Sequence, residues 1–230
     1  MGFLGKREPS FLSVVESRID WKRFSGIQSK YLTEEHDEIG PLKYFDHNKY
    51  LRINKYLRIN IDRAAELKLH EREPADILDI GCGFGYFLFI AKEMGHEVVG
   101  MDFMEGNHSD TASYSEMIDM FGVERKLHRI ERFEPLPFTE RKFDLITAFQ
   151  ICFNFHNTPQ RWEKDEWHFF LSDLKKSLNP GGMVYLHFNR RHSDQSFCSD
   201  SLKKYFINLG ATVLQDGYVV IFDGTTSLPS

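Results

Sequence analysis

Apolar and polar positions change their period along the chain. In residues 10–20, Leu12, Val15 and Ile19 are separated by charges, which predicts a short amphipathic helix starting near Ser10. Residues 21–45 are aromatic and charged without clear periodicity and read as a loop-rich lead-in, with Gly40-Pro41 as a turn. Residues 49–60 then carry KYLRIN twice in tandem. A six-residue step rotates a helix by about 600°, so the two copies cannot present one face. The apolar stripe instead runs through Tyr50, Ile53, Leu57, Ile61 and Ala64, which predicts one long helix ending near His70.

From residue 76 onwards, strand-length apolar runs alternate with helical stripes. Strands are predicted at 77–80, 98–101, 127–130, 143–149, 183–188, 212–214 and 218–222, and helices at 86–94, 111–121, 165–178 and 200–209. In the third of these helices Trp167, Phe170, Leu171, Leu174 and Leu178 follow the helical repeat, and Asn179-Pro180-Gly181-Gly182 breaks the chain before the next strand. Such alternation implies a mainly parallel sheet with helices on both faces. Only Gln215, Asp216 and Gly217 separate the last two strands, too few for a parallel crossover, so those strands must form an antiparallel hairpin.

Composition narrows the function classes. The apolar runs are interrupted by charge well short of the roughly 20 residues a bilayer span needs. The first residues lack a secretory apolar core, and Lys6 stands where a myristoylation motif wants Ser or Thr, so a cytoplasmic location is expected. Cys82, Cys152 and Cys198 are odd in number and show no metal-ligand spacing, which indicates neither a disulfide framework nor a metal site. A formal charge of -5 and a pI near 6.1 argue against a large nucleic-acid footprint. The stripe Lys49, Arg52, Lys55, Arg58 and Arg63 offers either a local anion site or a solvated helix face.

The richest chemistry lies in residues 76–102, where a strand ends at Asp79, a turn carries Gly81, Gly83 and Gly85, and a second strand ends at Asp102. A dinucleotide fingerprint would place its third glycine at position 86, which is Tyr86. An acid two residues before the first glycine would also repel a pyrophosphate, whereas it suits a cationic ligand.

Asp79-Ile80-Gly81-Cys82-Gly83-Phe84-Gly85 resembles motif I of the class I S-adenosylmethionine-dependent methyltransferases. The resemblance extends over about residues 74–222, through Asp102, Phe143-Asp144-Leu145-Ile146, Leu178-Asn179-Pro180-Gly181-Gly182 and the terminal hairpin. It implies a Rossmann-like, doubly wound, seven-stranded and mostly parallel sheet with an antiparallel edge strand, preceded by N-terminal helices. Residues 1–73 would form a helical appendage, 74–224 the methyltransferase domain and 225–230 a tail.

By the same resemblance, S-adenosylmethionine is the cofactor. Asp79 would sit beside its amino group, with Gly81, Cys82 and Gly83 supplying the turn that its backbone-facing side approaches; no thiol chemistry is implied for Cys82. Asp102 would accept hydrogen bonds from both ribose hydroxyls, Phe103 would pack near the adenine edge, and Gln150 would help bind the methionine part. Before Leu136-Pro137-Phe138, Arg132 and Phe133 replace the usual acid and small residue, so Glu131 or the backbone of Phe133 must serve the adenine.

The acceptor would meet the methyl group beyond the fourth and fifth strands. His156 and His187 are the candidate bases there, Arg190 and Arg191 either recognise an acidic acceptor or are solvated, and 154–164, with Pro159 and Trp162, is a candidate lid. No Asn- or Asp-Pro-Pro-Tyr follows the fourth strand, which counts against amino-methylation of DNA bases. The expected activity is methyl transfer to a small molecule or metabolite. The alternatives are an RNA or protein methyltransferase, for which the basic stripe speaks, and a non-catalytic cofactor-binding module.

Overall fold

A computed structural model of the chain describes residues 11–31, 50–103, 110–138, 140–151, 161–190, 194–224, 226 and 228–229. Seven strands, β1 (Asp76–Ile80), β2 (Glu97–Asp102), β3 (Glu124–Leu127), β4 (Phe143–Ile151), β5 (Leu178–Phe188), β6 (Thr212–Leu214) and β7 (Val219–Phe222), form one sheet in the order β3-β2-β1-β4-β5-β7-β6. Strands β3, β2, β1, β4 and β5 are parallel, and β7 runs antiparallel to both β5 and β6, so the terminal hairpin makes one edge. Strand order reverses between β1 and β4. In open α/β sheets that switch point opens a crevice at the carboxyl ends of the strands.

The helices are α1 (Phe11–Ser17), α2 (Trp21–Tyr31), α3 (Ile53–Glu66), α4 (Tyr86–Glu93), α5 (Asp110–Phe121), α6 (Lys164–Lys176) and α7 (Asp200–Asn208). Successive strand residues point to opposite faces. Ile77, Leu145, Tyr185 and Val219 accordingly pack with Val15, Phe24, Leu57, Leu88 and Met117 of α1 to α5. Their neighbours Leu78, Ile146, Val184 and Val220 pack with Trp167, Phe170, Leu202 and Phe206 of α6 and α7. Burial of both faces explains why these strands read as continuous apolar runs. It also fixes where the exceptions point. Asp79, Thr147 and His187 share the parity of Ile77, Leu145 and Tyr185, so all three face the α1 to α5 side.

Several predicted boundaries move for physical reasons. The lead-in contains a helix, α2, whose buried Phe24, Ile27 and Tyr31 form a stripe of only three residues. The third strand lies at Glu124–Leu127 rather than 127–130. It pairs only with β2 at the sheet edge and is mostly exposed, so it carries charge instead of an apolar signal. Residues 128–130 instead form a loop beside the crevice. Strand β5 starts at Leu178 and absorbs Asn179-Pro180-Gly181-Gly182 through a register shift against β4 between Phe143 and Leu145. The repeat helix divides into α3 and a short 3-10 turn at Leu69–Glu71. Gly40-Pro41, most of the candidate lid and His156 lie outside the described residues.

Candidate functional site

Gly81, Gly83 and Gly85 all adopt left-handed backbone, with φ of 74°, 56° and 81°, a region L side chains disfavour. Only such a turn brings β1 directly into α4 while leaving the backbone bare. A Cβ on Gly83 would meet nothing within 4 Å, so the space above it is open. At Gly85 the constraint is packing: a Cβ would stand 2.6 Å from Ile118 Cδ1 of α5.

The open side belongs to a cleft of about 460 Å³ lined by Gly81, Gly83, Asp102, Phe103, Tyr114 and Gln150 among others, a volume in the range of small-molecule and cofactor sites. Asp102 ends β2 beside the turn. The Gly83 N–H donates to its Oδ2 at 2.5 Å and the Phe103 N–H to its Oδ1 at 2.7 Å, so both carboxylate oxygens are oriented at the turn. The His128 N–H donates to the Asp102 carbonyl at 3.0 Å. That holds His128, Arg129 and Ile130 in the same wall, with the Arg129 guanidinium 4.8 Å from the Phe103 ring centre. His128 Nε2 is buried without a hydrogen-bond partner among the described residues.

Asp79 ends the other side of the turn and is almost fully buried. Its Oδ1 accepts from Thr147 Oγ1 at 2.7 Å. Burial pushes its carboxyl up to about 7, against the opposing pull of the Thr147 hydroxyl and of the Arg63 guanidinium. A buried carboxylate whose ionisation is this unfavourable gains most from a cationic partner. The amino group of an amino-acid ligand supplies one.

Across the switch point, β4 ends in a shift of register at Gln150, whose φ is 57°. A non-glycine residue in that region is uncommon and, when held in place, points to a functional constraint. Asn189 donates to the Gln150 carbonyl, and the Gln150 amide reaches Arg63 Nη2 and Tyr218 Oη, each at 3.4 Å. Helix α3 therefore touches this end of the sheet directly.

Of the residues expected around the cofactor, Gly81, Gly83, Asp102, Phe103 and Gln150 line the cleft and Asp79 lies beneath it. Cys82 does not face it: the thiol packs against β2 so closely that a Cβ on Gly100 would stand 2.5 Å from Sγ, and burial raises its pKa well above the ordinary value. Phe133 is also outside the lining. Its ring meets Phe169 of α6 edge-on at 5.9 Å, because the chain turns away from the cleft after Ile130. Tyr50, Tyr114, His128 and Trp162, none of them assigned to the cofactor from the sequence, line it instead.

His187 is 6% exposed and is not among the cleft-lining residues. Its Nε2 lies 3.1 Å from Tyr185 Oη and 3.9 Å from a Glu66 carboxylate oxygen. Burial brings its pKa down to about 4, with Glu66 opposing and Arg63 adding to the shift. A neutral imidazole of such low basicity is a weak general base. Arg190 packs over the Phe197 ring at 5.2 Å. Among the described residues no cluster of three His, Cys, Asp or Glu is placed to hold a metal, and no helix is long and apolar enough to cross a membrane.

An α/β crevice with one acid at the end of each of two neighbouring parallel strands, divided by a bare glycine turn, defines a Rossmann-like protein that binds a nucleoside cofactor. A family model described as a methyltransferase domain matches residues 47–205; the chain belongs to that family, and its cofactor is S-adenosylmethionine. Among curated proteins, the tRNA U34 carboxymethyltransferase of Nautilia profundicola is 31% identical over 121 residues, covering 50% of this chain and 34% of that protein. The 18S rRNA (guanine-N(7))-methyltransferase bud23 of Schizosaccharomyces pombe is 30% identical over 150 residues, covering 62% of this chain and 52% of that protein. The chain thus spans only a third to a half of the length of these relatives. A solved TehB-like S-adenosylmethionine-dependent methyltransferase from Corynebacterium glutamicum has the same fold, with a TM-score of 0.53 at 16% identity over 77% of this chain and 97% of that one.

Proposed function

We propose that the chain is an active methyltransferase in which Asp79 receives the cofactor's amino group, Asp102 its ribose hydroxyls, and Phe103 with the 128–130 wall its adenine. The observation that carries this reading is the pair of carboxylates around the bare turn, one buried and one held by two backbone N–H groups. His128 Nε2, unpartnered in that wall, adds hydrogen-bonding capacity where the adenine amino group would need it. The cofactor's chemistry is a methyl group on a sulfonium. The protein's part is alignment: the acceptor atom forms its bond to the methyl carbon as the carbon–sulfur bond breaks, and positioning supplies much of the rate.

The acceptor we propose is a small molecule. Helix α3 stands close to the carboxyl end of β4, with the Arg63 guanidinium over the Phe149 ring at 4.4 Å, and this is where an acceptor would meet the methyl group. A second reading, an RNA acceptor, is favoured by the tRNA and rRNA activities named for the two curated relatives and by the exposed Lys55 and Arg58 on α3. Transfer of a tritiated methyl group into a fractionated cell extract tests both. Label in the metabolite fraction supports the first, label in RNA that competes away with salt supports the second, and no label in any fraction removes catalysis from the account.

A further inference from the structure

His187, Tyr185 and Glu66 form a polar relay beside the cleft that the cofactor assignment leaves without a task. Phe149 and His187 are register partners near the carboxyl ends of β4 and β5, and Phe149 lines the cleft. The His187 ring meets Phe149 edge-on at 5.1 Å and packs against Tyr218 at 4.8 Å. Its Nε2 lies 3.1 Å from Tyr185 Oη, while Nδ1 is buried without a hydrogen-bond partner among the described residues. A buried polar atom left unpaired is costly, and in a native fold it calls for a reason.

The protons of this relay can be placed. Burial and a hydrogen bond to the Glu66 carboxylate both raise the Tyr185 pKa. An ionised carboxylate only accepts, so the Tyr185 hydroxyl donates to Glu66, and its oxygen accepts in turn from His187 Nε2–H. A neutral imidazole carries one proton, which leaves the lone pair on Nδ1. Burial, opposed by Glu66 and reinforced by Arg63, brings the His187 pKa down to about 4, so the ring is neutral at about pH 7. Glu66, with 46% of its side chain exposed, is the end that meets water. The relay thus accepts a proton in a dry place behind the cleft wall and delivers it to solvent.

We propose that His187, Tyr185 and Glu66 are a proton exit for methyl transfer to a hydroxyl group, so that the acceptor is an alcohol or a phenol. It rests on the methyltransferase reading and names the acceptor's chemistry. His187 Nδ1 takes the acceptor's hydrogen bond once the Phe149 ring swings aside. The acceptor oxygen bonds to the methyl carbon as the carbon–sulfur pair stays on sulfur, and the O–H pair returns to oxygen as its proton moves to Nδ1. The Nε2 proton passes to Tyr185 and the Tyr185 proton to Glu66, which gives it to water. The products are a methyl ether, S-adenosylhomocysteine and a proton in solvent. The imidazole ends as its other neutral tautomer and never becomes an imidazolium; it regains the first when product leaves and Nδ1 exchanges its proton with water.

Low basicity decides the acceptor class. A hydroxyl oxygen becomes strongly acidic as its bond to the methyl carbon forms, so a late transfer to a weak base suffices. An ammonium group has no lone pair until it loses its proton, and an imidazole held this far below its ordinary pKa cannot take that proton at neutral pH.

Nitrogen NMR of the full chain with ¹⁵N-labelled histidine tests the proton placement, with His187 identified by the signals missing from His187→Gln. At about pH 7 a proton is expected on Nε2 and none on Nδ1, with a mixture of tautomers in Tyr185→Phe. A proton fixed on Nδ1 of wild type overturns the inference. Tritiated methyl transfer into the metabolite fraction of a cell extract then tests the use of the relay. Glutamine at position 66 keeps an oxygen for the Tyr185 hydroxyl but cannot take its proton. At saturating cofactor, Glu66→Gln and Tyr185→Phe should therefore label at least ~10-fold more slowly than wild type. Their affinity for S-adenosylhomocysteine by calorimetry should be unchanged, and mass spectrometry should find the transferred methyl group on oxygen.

Labelling at the wild-type rate, cofactor affinity that falls in parallel with labelling, or a methyl group on nitrogen, carbon or sulfur overturns the inference. A wild type that shows the expected tautomer but binds no S-adenosylhomocysteine or labels nothing is a different result. It removes the methyltransferase reading and the relay's task with it.

Discussion

Asp79→Asn separates the requirements of function from those of stability. Burial lifts the Asp79 carboxyl from the usual 3.8 to about 7. The folded protein therefore keeps this proton to a higher pH than the unfolded chain does. Stability is unaffected by the group below about pH 4 and falls as pH rises towards about 7, by roughly 1.4 kcal/mol per unit of pKa difference, about 4 kcal/mol in all. Asparagine does not ionise, and its amide oxygen can still accept the Thr147 hydrogen bond. Misplacing its amide hydrogens costs about 1–2 kcal/mol at every pH. That cost cancels when two pH values are compared, so the stability of the variant relative to wild type should rise by about 3 kcal/mol between about pH 5 and about pH 8. Urea unfolding of both ligand-free proteins at the two pH values measures this directly. A relative stability that does not move with pH would show that Asp79 is ionised in the empty protein. The variant should meanwhile lose most of its affinity for S-adenosylhomocysteine.

Other substitutions probe the frame around the cleft. Gly85→Ala places a side chain at φ 81° and 2.6 Å from Ile118 Cδ1, so denaturant unfolding should show a loss of about 2–4 kcal/mol. Trp167 is fully buried between Trp162, Phe170, Phe188 and Phe206; Trp167→Ala should cost about 3–5 kcal/mol on the same measurement, with cofactor affinity reduced because Trp162 lines the cleft. Glu116 accepts from Lys30 at 2.6 Å and Tyr31 at 2.8 Å, which ties α2 to α5 at the surface. Glu116→Ala should lower global stability by less than about 1 kcal/mol while raising amide exchange in α2.

The legible part of the fold was the part with both faces buried. Strands β1, β2, β4 and β7 announce themselves because Ile77-Leu78, Val98-Val99, Leu145-Ile146 and Val219-Val220 are apolar at every step. Strand β3 escaped correct placement because an edge strand has no second neighbour to bury it, and Glu124, Arg125 and Lys126 look like a loop. Helix α2 escaped because three inward residues in eleven are too few for a periodic signal. In the site, the turn glycines and Asp102 were legible since their backbone demands are local.

What sequence could not supply was orientation. Cys82 and Phe133, expected to contribute through the turn and the backbone, turn their side chains away from the cleft. Arg63 looks like one of five similar charges until α3 is laid across β4. The polar residues Asp79, Thr147 and His187, each in an otherwise apolar strand and all of one parity, were the signal that this face holds more than a core.

The most direct measurement of the central claim is a calorimetric titration of S-adenosylhomocysteine into wild type and Asp102→Ala. Wild type should bind one equivalent, and the variant, folded but without the carboxylate that faces the glycine turn, should bind at least ~10-fold more weakly, as expected for loss of charge-assisted hydrogen bonds. Equal affinity in the two proteins, or no binding by wild type, would contradict the assignment of this cleft as the cofactor site.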